Sequence, residues 1–131
     1  MRTFLSKKLW RDKMINIVEQ RDGSKIHWRT LDDQEFDHHI RIKLFEEAEE
    51  VVAAQSRNEL IIELADLYEA IDSLIAVNNI SKEEIITEQT KRRNERGGFA
   101  ERRFVEMSQH PAGSQGEKYC LADPKKYPEI L

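Results

Sequence analysis

The stretch "KLFEEAEEVVAAQSRNELIIELADLYEAIDSLI", residues 43–75, decides the fold. Leu60, Leu64, Leu67, Ile71 and Leu74 recur at three- and four-residue spacing, the period of one helix face. Upstream, Ile40, Leu44, Ala48, Val51 and Val52 define a second such face. Between them stands Ser56 with Glu59 three residues on, the pattern in which a hydroxyl and a carboxylate satisfy the free amides of a helix start. One helix therefore ends near Ala54 and the next begins almost at once. So short a link turns the chain back on itself, which predicts an antiparallel helix pair.

Outward from this hairpin, the earlier helix is expected to begin at Asp32 or Asp33, where acids suit the positive end of the helix dipole. The later one is broken by Asn78-Asn79. Ser81 and Glu84 repeat the capping pattern and open a further helix to about Glu95, closed by Gly97-Gly98. Near the N-terminus, "RDKMINIVEQRDG" carries Met14, Ile17 and Val18 at helical spacing and stops at Gly23. "SKIHWRTL" alternates Ile26 and Trp28 with polar residues, as a short extended piece would. Residues 1–10 read as an irregular lead-in. From Ser108 onward lie all three prolines and two of the five glycines, which predicts an extended tail. The expectation is an all-α protein: a small antiparallel bundle of about four helices in a single domain, its core at about 8–104 and its tail at 105–131.

Composition narrows the function classes. Of 131 residues, 39% are hydrophobic and 35% charged, which fits a helix-rich globule with a modest core. The net charge of −4 argues against general nucleic-acid affinity. Cys120 is the only cysteine, so no intrachain disulfide can form. No apolar run approaches the roughly 20 residues of a membrane span. These features lead to an expected cytoplasmic protein with no nucleic-acid or membrane partner. The charges are unevenly placed, with acids crowding residues 32–72 and residues 91–103 strongly basic.

Glu47 and Glu50 lie three apart on the first helix of the hairpin, and Glu63 and Asp66 three apart on the second. Each pair borders its helix's apolar stripe, so antiparallel folding can bring both to one level of the seam. Either pair alone reads as a solvated stripe of good helix formers. Their joint occurrence across a tight turn favours a shared cation, since unpaired half-buried charges are costly. Oxygen-only ligands suit Mg²⁺, with Mn²⁺ as a substitute, and Mg²⁺ usually recruits phosphate oxygens as well. Adjacent His38 and His39 diverge by about 100° on a helix and make a poor pair of ligands.

Glu46-Glu47-x-x-Glu50, a 12-residue spacer, then Glu63-x-x-Asp66 resembles the metal motif of the MazG-like all-α nucleoside triphosphate pyrophosphatase superfamily. "KLWRDKM" (8–14) is similar to a KLVRDKIP-type N-terminal signature of one subgroup, and "KRRNERGGF" (91–99) to its basic segment ending in RGGF. The sequence departs from that pattern at Trp10, in place of a small aliphatic, and at Ile15, in place of proline. The resemblance implies a helical bundle that forms a homodimer or a dimer of dimers. It implies Mg²⁺-dependent cleavage of (d)NTPs between the α- and β-phosphates, in the house-cleaning of unwanted nucleotides. Glu47, Glu50, Glu63 and Asp66 would hold the metal, and Glu46 would orient the attacking water. Lys91, Arg92 and Arg96 would contact substrate phosphates, with Lys8 and Arg11 reaching the same pocket. On the residues alone, Lys91, Arg92 and Arg96 serve equally well as complements to a helix dipole, with glycine as the cap. A phosphoribosyl-ATP pyrophosphohydrolase shares this chemistry, but its pattern has histidine where Glu69 follows "ADLY". A helical interaction module without catalysis is the alternative from another class.

Overall fold

The computed structural model describes all residues from Met1 to Leu131 and contains five helices and no strand. They are α1 (Met14–Asp22), α2 (Asp33–Ala53), α3 (Arg57–Val77), α4 (Lys82–Arg96) and α5 (Gln115–Leu121). The all-α class read from the hydrophobic periodicity is the one observed. The chain forms two compact units, Met1–Arg92 and Arg93–Leu131, with the boundary falling inside α4. No helix is long and apolar enough to cross a membrane.

The helix ends follow local chemistry. The Asp32 side chain accepts from the Glu35 amide at 2.8 Å and starts α2. Ser56 Oγ accepts from the Glu59 amide at 3.1 Å, while the Glu59 carboxylate accepts from the Gln55 amide at 2.8 Å. Ser81 and Glu84 repeat the exchange at 3.2 and 2.7 Å before α4. Each such cap contributes about 1 kcal/mol. Gly23 closes α1 in the left-handed conformation, its amide donating to the Glu19 carbonyl. That φ of 69° suits glycine, whereas a side chain there would be strained.

In the first unit α2 and α3 pack along their length. Asn78, just past α3, donates to Asp37 near the start of α2 at 2.7 Å, so the far ends of the two helices are tied together. With only Ala54, Gln55 and Ser56 linking their near ends, the pair is antiparallel. The core at this seam is small, since Ile40 and Ala70 are the only buried apolar residues and each keeps about 5% of its surface exposed.

Two details differ from the periodic reading. Val52 and Ala48 are exposed, because α2 turns Phe36, Ile40, Leu44, Glu47 and Val51 towards its neighbour. On α3 the inward line runs through Glu63, Asp66, Leu67, Ala70 and Leu74, leaving Leu60 and Leu64 on a flank about 40% exposed. The small residue Ala70, rather than a leucine of the stripe, is the buried member of this line. Residues 24–31 are irregular and pair with no strand.

The second unit corrects the reading of an extended tail. Ser114 Oγ accepts from the Glu117 amide at 3.3 Å, and Glu117 accepts from the Gly113 amide at 3.0 Å, starting α5. Gly116 allows the His110 ring to lie against the helix, since a β-carbon there would collide with His110 Nδ1.

Replacing Ile40 by alanine removes one of the two residues that seal the seam. The expected loss is about 2–4 kcal/mol of unfolding free energy, read from the midpoint of a urea transition.

Candidate metal centre

The antiparallel register sets the acids of α2 beside those of α3. One carboxylate oxygen from each of Glu47, Glu63 and Asp66 can be chosen so that all three lie within 4.8 Å of one another. All three residues are half-buried, and the Glu47 side chain is only 13% exposed. Hard divalent cations hold oxygens at about 2.0–2.6 Å, so separations up to about 5 Å span one coordination sphere. The donor set, all carboxylate, fits such an ion.

Crowding is written into the protonation of Glu63. Its carboxyl is raised above the usual range, first by desolvation and then by repulsion from Asp66, Glu50, Glu47 and Glu59. Glu50 is exposed and stands outside the tight trio, though close enough to contribute to this repulsion.

Glu46 has the opposite environment. Burial alone would raise it, but Lys43 and Lys8 outweigh burial and leave the carboxyl below its ordinary value. Lys8 Nζ lies 3.3 Å from one Glu46 oxygen and Lys43 Nζ 3.4 Å from the other. Lys43 also approaches Glu47 at 3.7 Å, as its position one turn earlier requires. Arg11 donates from Nη2 to Asp66 Oδ1 at 2.6 Å.

No protein family, curated protein or solved structure matches the chain.

The structure thus gathers Glu47, Glu63 and Asp66, sets Glu46 beside them on α2, and places Lys8 and Arg11 on carboxylates of the same two helices. Lys91 and Arg92 are exposed on α4 and form no ion pair. Arg96 is the last residue of α4 and lies in the second unit. The Gly97 amide is taken up by the Arg93 carbonyl at 2.8 Å with φ of 80°, so Gly97 acts as the helix cap. The direct contacts of Lys8 and Arg11 with acids were missed in the sequence reading, which assigned both to phosphate. Their signal was the opposite charge of the lead-in and the hairpin, but nothing in the spacing gives the register between those segments.

A raised carboxyl binds its proton more tightly in the folded chain than in the unfolded one. Glu63 therefore favours folding fully below the unfolded value of about 4.3, and that contribution is lost as pH rises through the higher folded value. Glu63→Gln, which mimics the protonated form, should melt a few degrees above wild type near neutral pH in chelator-treated protein. Calorimetric scans across pH should show the gap closing below about pH 4; a gap independent of pH contradicts this account.

Proposed function

We propose that this chain is a MazG-like, Mg²⁺-dependent pyrophosphohydrolase that converts nucleoside triphosphates to monophosphates and pyrophosphate, in the house-cleaning of unwanted (d)NTPs. The observation that carries the reading is the convergence of Glu47, Glu63 and Asp66 from two consecutive helices. With Glu50 these are the carboxylates that the motif resemblance assigns to metal binding. Mg²⁺, or Mn²⁺ in its place, would polarise the phosphoryl oxygens and activate a water when held there.

The chain's own residues then have distinct tasks. Glu47, Glu63 and Asp66 would hold the cation, which would supply positive charge to the oxygens of the triphosphate. Glu46 is kept ionised by Lys43 and Lys8, so it suits orienting a water by accepting a hydrogen bond more than retaining the water's proton. Lys91 and Arg92, free of ion pairs, are available to the charge on the leaving pyrophosphate. Water adds at phosphorus, the bridging α–β bond breaks, and the protons released pass to product and solvent.

A second copy of the chain belongs to the same reading. With only Ile40 and Ala70 buried, the α2–α3 pair leaves a broad apolar surface. On the side of α2 turned from α3, Ile42, Phe45 and Val52 are exposed, Phe45 by 72% and Val52 by 87%. On α3, Ile61, Leu64 and Tyr68 form a stripe at helical spacing and are also exposed. Apolar faces this extensive mark protein–protein contact, and pairing hairpins would complete a bundle core as a homodimer or a dimer of dimers.

Pyrophosphate release from a panel of NTPs, dNTPs and phosphoribosyl-ATP should require Mg²⁺ and fall by at least about 100-fold in Glu63→Gln. Preference for phosphoribosyl-ATP would move the assignment to histidine biosynthesis. No release from any substrate, together with no Mg²⁺ effect on melting, would leave the seam as a surface for a basic partner. For the assembly, Phe45→Glu should shift the species seen by sedimentation velocity towards monomer, because it places a charge at the centre of the apolar face.

A further inference from the structure

The lead-in before α1 is more than a connection. Arg11 and Lys8 flank Leu9 and Trp10, both of which are only partly exposed, and their charged ends lie on two different helices. Arg11 takes Asp66 on α3 at 2.6 Å, and Lys8 takes Glu46 on α2 at 3.3 Å. The Met14 amide donates to the Arg11 carbonyl at 2.9 Å, so the lead-in runs directly into the start of α1. Both basic side chains are at least half exposed, so solvent can replace either contact.

Asp66 is also one of the three carboxylates gathered at the metal centre. Its carboxylate accepts the Arg11 guanidinium through Oδ1 and also offers an oxygen to the trio, so a guanidinium and a cation would draw on the same negative charge. We infer that residues 8–13 form a displaceable strap, in which Arg11 is an internal counter-ion that a divalent cation must move off Asp66. This rests on the metal reading above and adds to it a competition within the chain. Displacement also sets a guanidinium loose beside the site, and guanidinium binds phosphate through two parallel hydrogen bonds. The strap thus makes cation entry and phosphate capture favour one another, as linkage demands of two ligands that both prefer the displaced arrangement.

The test uses chelator-treated full-length protein and Mn²⁺ alone, with no nucleotide. Mn²⁺ affinity, from titration calorimetry or the loss of free Mn²⁺ resonance signal, is compared for wild type, Arg11→Gln and Arg21→Gln. Arg21, whose ion-pair partner is the adjacent Asp22, serves as the charge control. Arg11→Gln is expected to bind Mn²⁺ tighter by about two- to five-fold, the range of an exposed ion pair, with Arg21→Gln unchanged. Trypsin cleavage after Lys8 and Arg11 of wild type should speed up when Mn²⁺ is added, as the strap lifts. Equal or weaker binding by Arg11→Gln, or cleavage indifferent to Mn²⁺ in a wild type that binds it, overturns the strap and leaves the metal reading intact. Binding by Arg11→Gln but not wild type supports the strap in its strongest form. Absence of Mn²⁺ binding in all three proteins overturns both.

Discussion

Repulsion across the α2–α3 seam is the constraint from which the other features of the site follow. A three-residue link and two side-chain caps force α3 back along α2, and the register lays Glu47 against Glu63 and Asp66. Nothing in helix propensity opposes this, because glutamate is a good helix former and like-charge pairs along one helix cost only a few tenths of a kcal/mol. The cost arises between helices, where solvent is thinned and the charges face one another. The seam has adapted in two ways: it draws in cations from the lead-in and from Lys43, and it lets Glu63 hold its proton to higher pH.

Those adaptations divide five acids into unlike groups. Glu46 is relieved of repulsion by two lysines and is the readily ionised member. Glu63 makes no hydrogen bond or ion pair with a basic side chain and bears the desolvation and the repulsion of four carboxylates. Groups with opposed environments on one surface are the usual setting of acid–base and metal chemistry, though purely structural networks produce the same contrast. Here the second possibility is weakened by position. An acid placed only for solubility gains nothing by facing inward on a seam whose buried core is Ile40 and Ala70.

Much of this was legible in the sequence because it depends on local rules. Helix starts at Asp32, Ser56 and Ser81 follow from a side chain and an amide three residues away, and the hairpin follows from the brevity of the link. The pairing of Glu47 with Glu63 and Asp66 needed only helical period and antiparallel direction. Finer rotation was not legible, since Ala70 is buried while Leu60 and Leu64 are not, and which side chains face inward depends on summed side-chain volumes across the pair. The same pattern that marks α3 and α4 stands at Ser114 and Glu117, but prolines and glycines around it outweighed the signal. The seat of Arg11 on Asp66 spans 55 positions and is set by tertiary packing, which no spacing rule reaches.

A core this thin ties the site to the fold. The pairing of α2 with α3 is sealed by two residues and strained by three crowded carboxylates, so the free energy of pairing is the small difference of opposed terms. Any cation that binds the paired helices and not the separated ones stabilises the hairpin by mass action. The internal cations already do this weakly, since each exposed pair contributes less than about 1 kcal/mol. A divalent ion, if held there as proposed, would do so more strongly, because the binding free energy of a site assembled only on folding is also folding free energy. Occupation of the seam by charge and closure of the seam by apolar contact are therefore one equilibrium seen from two sides.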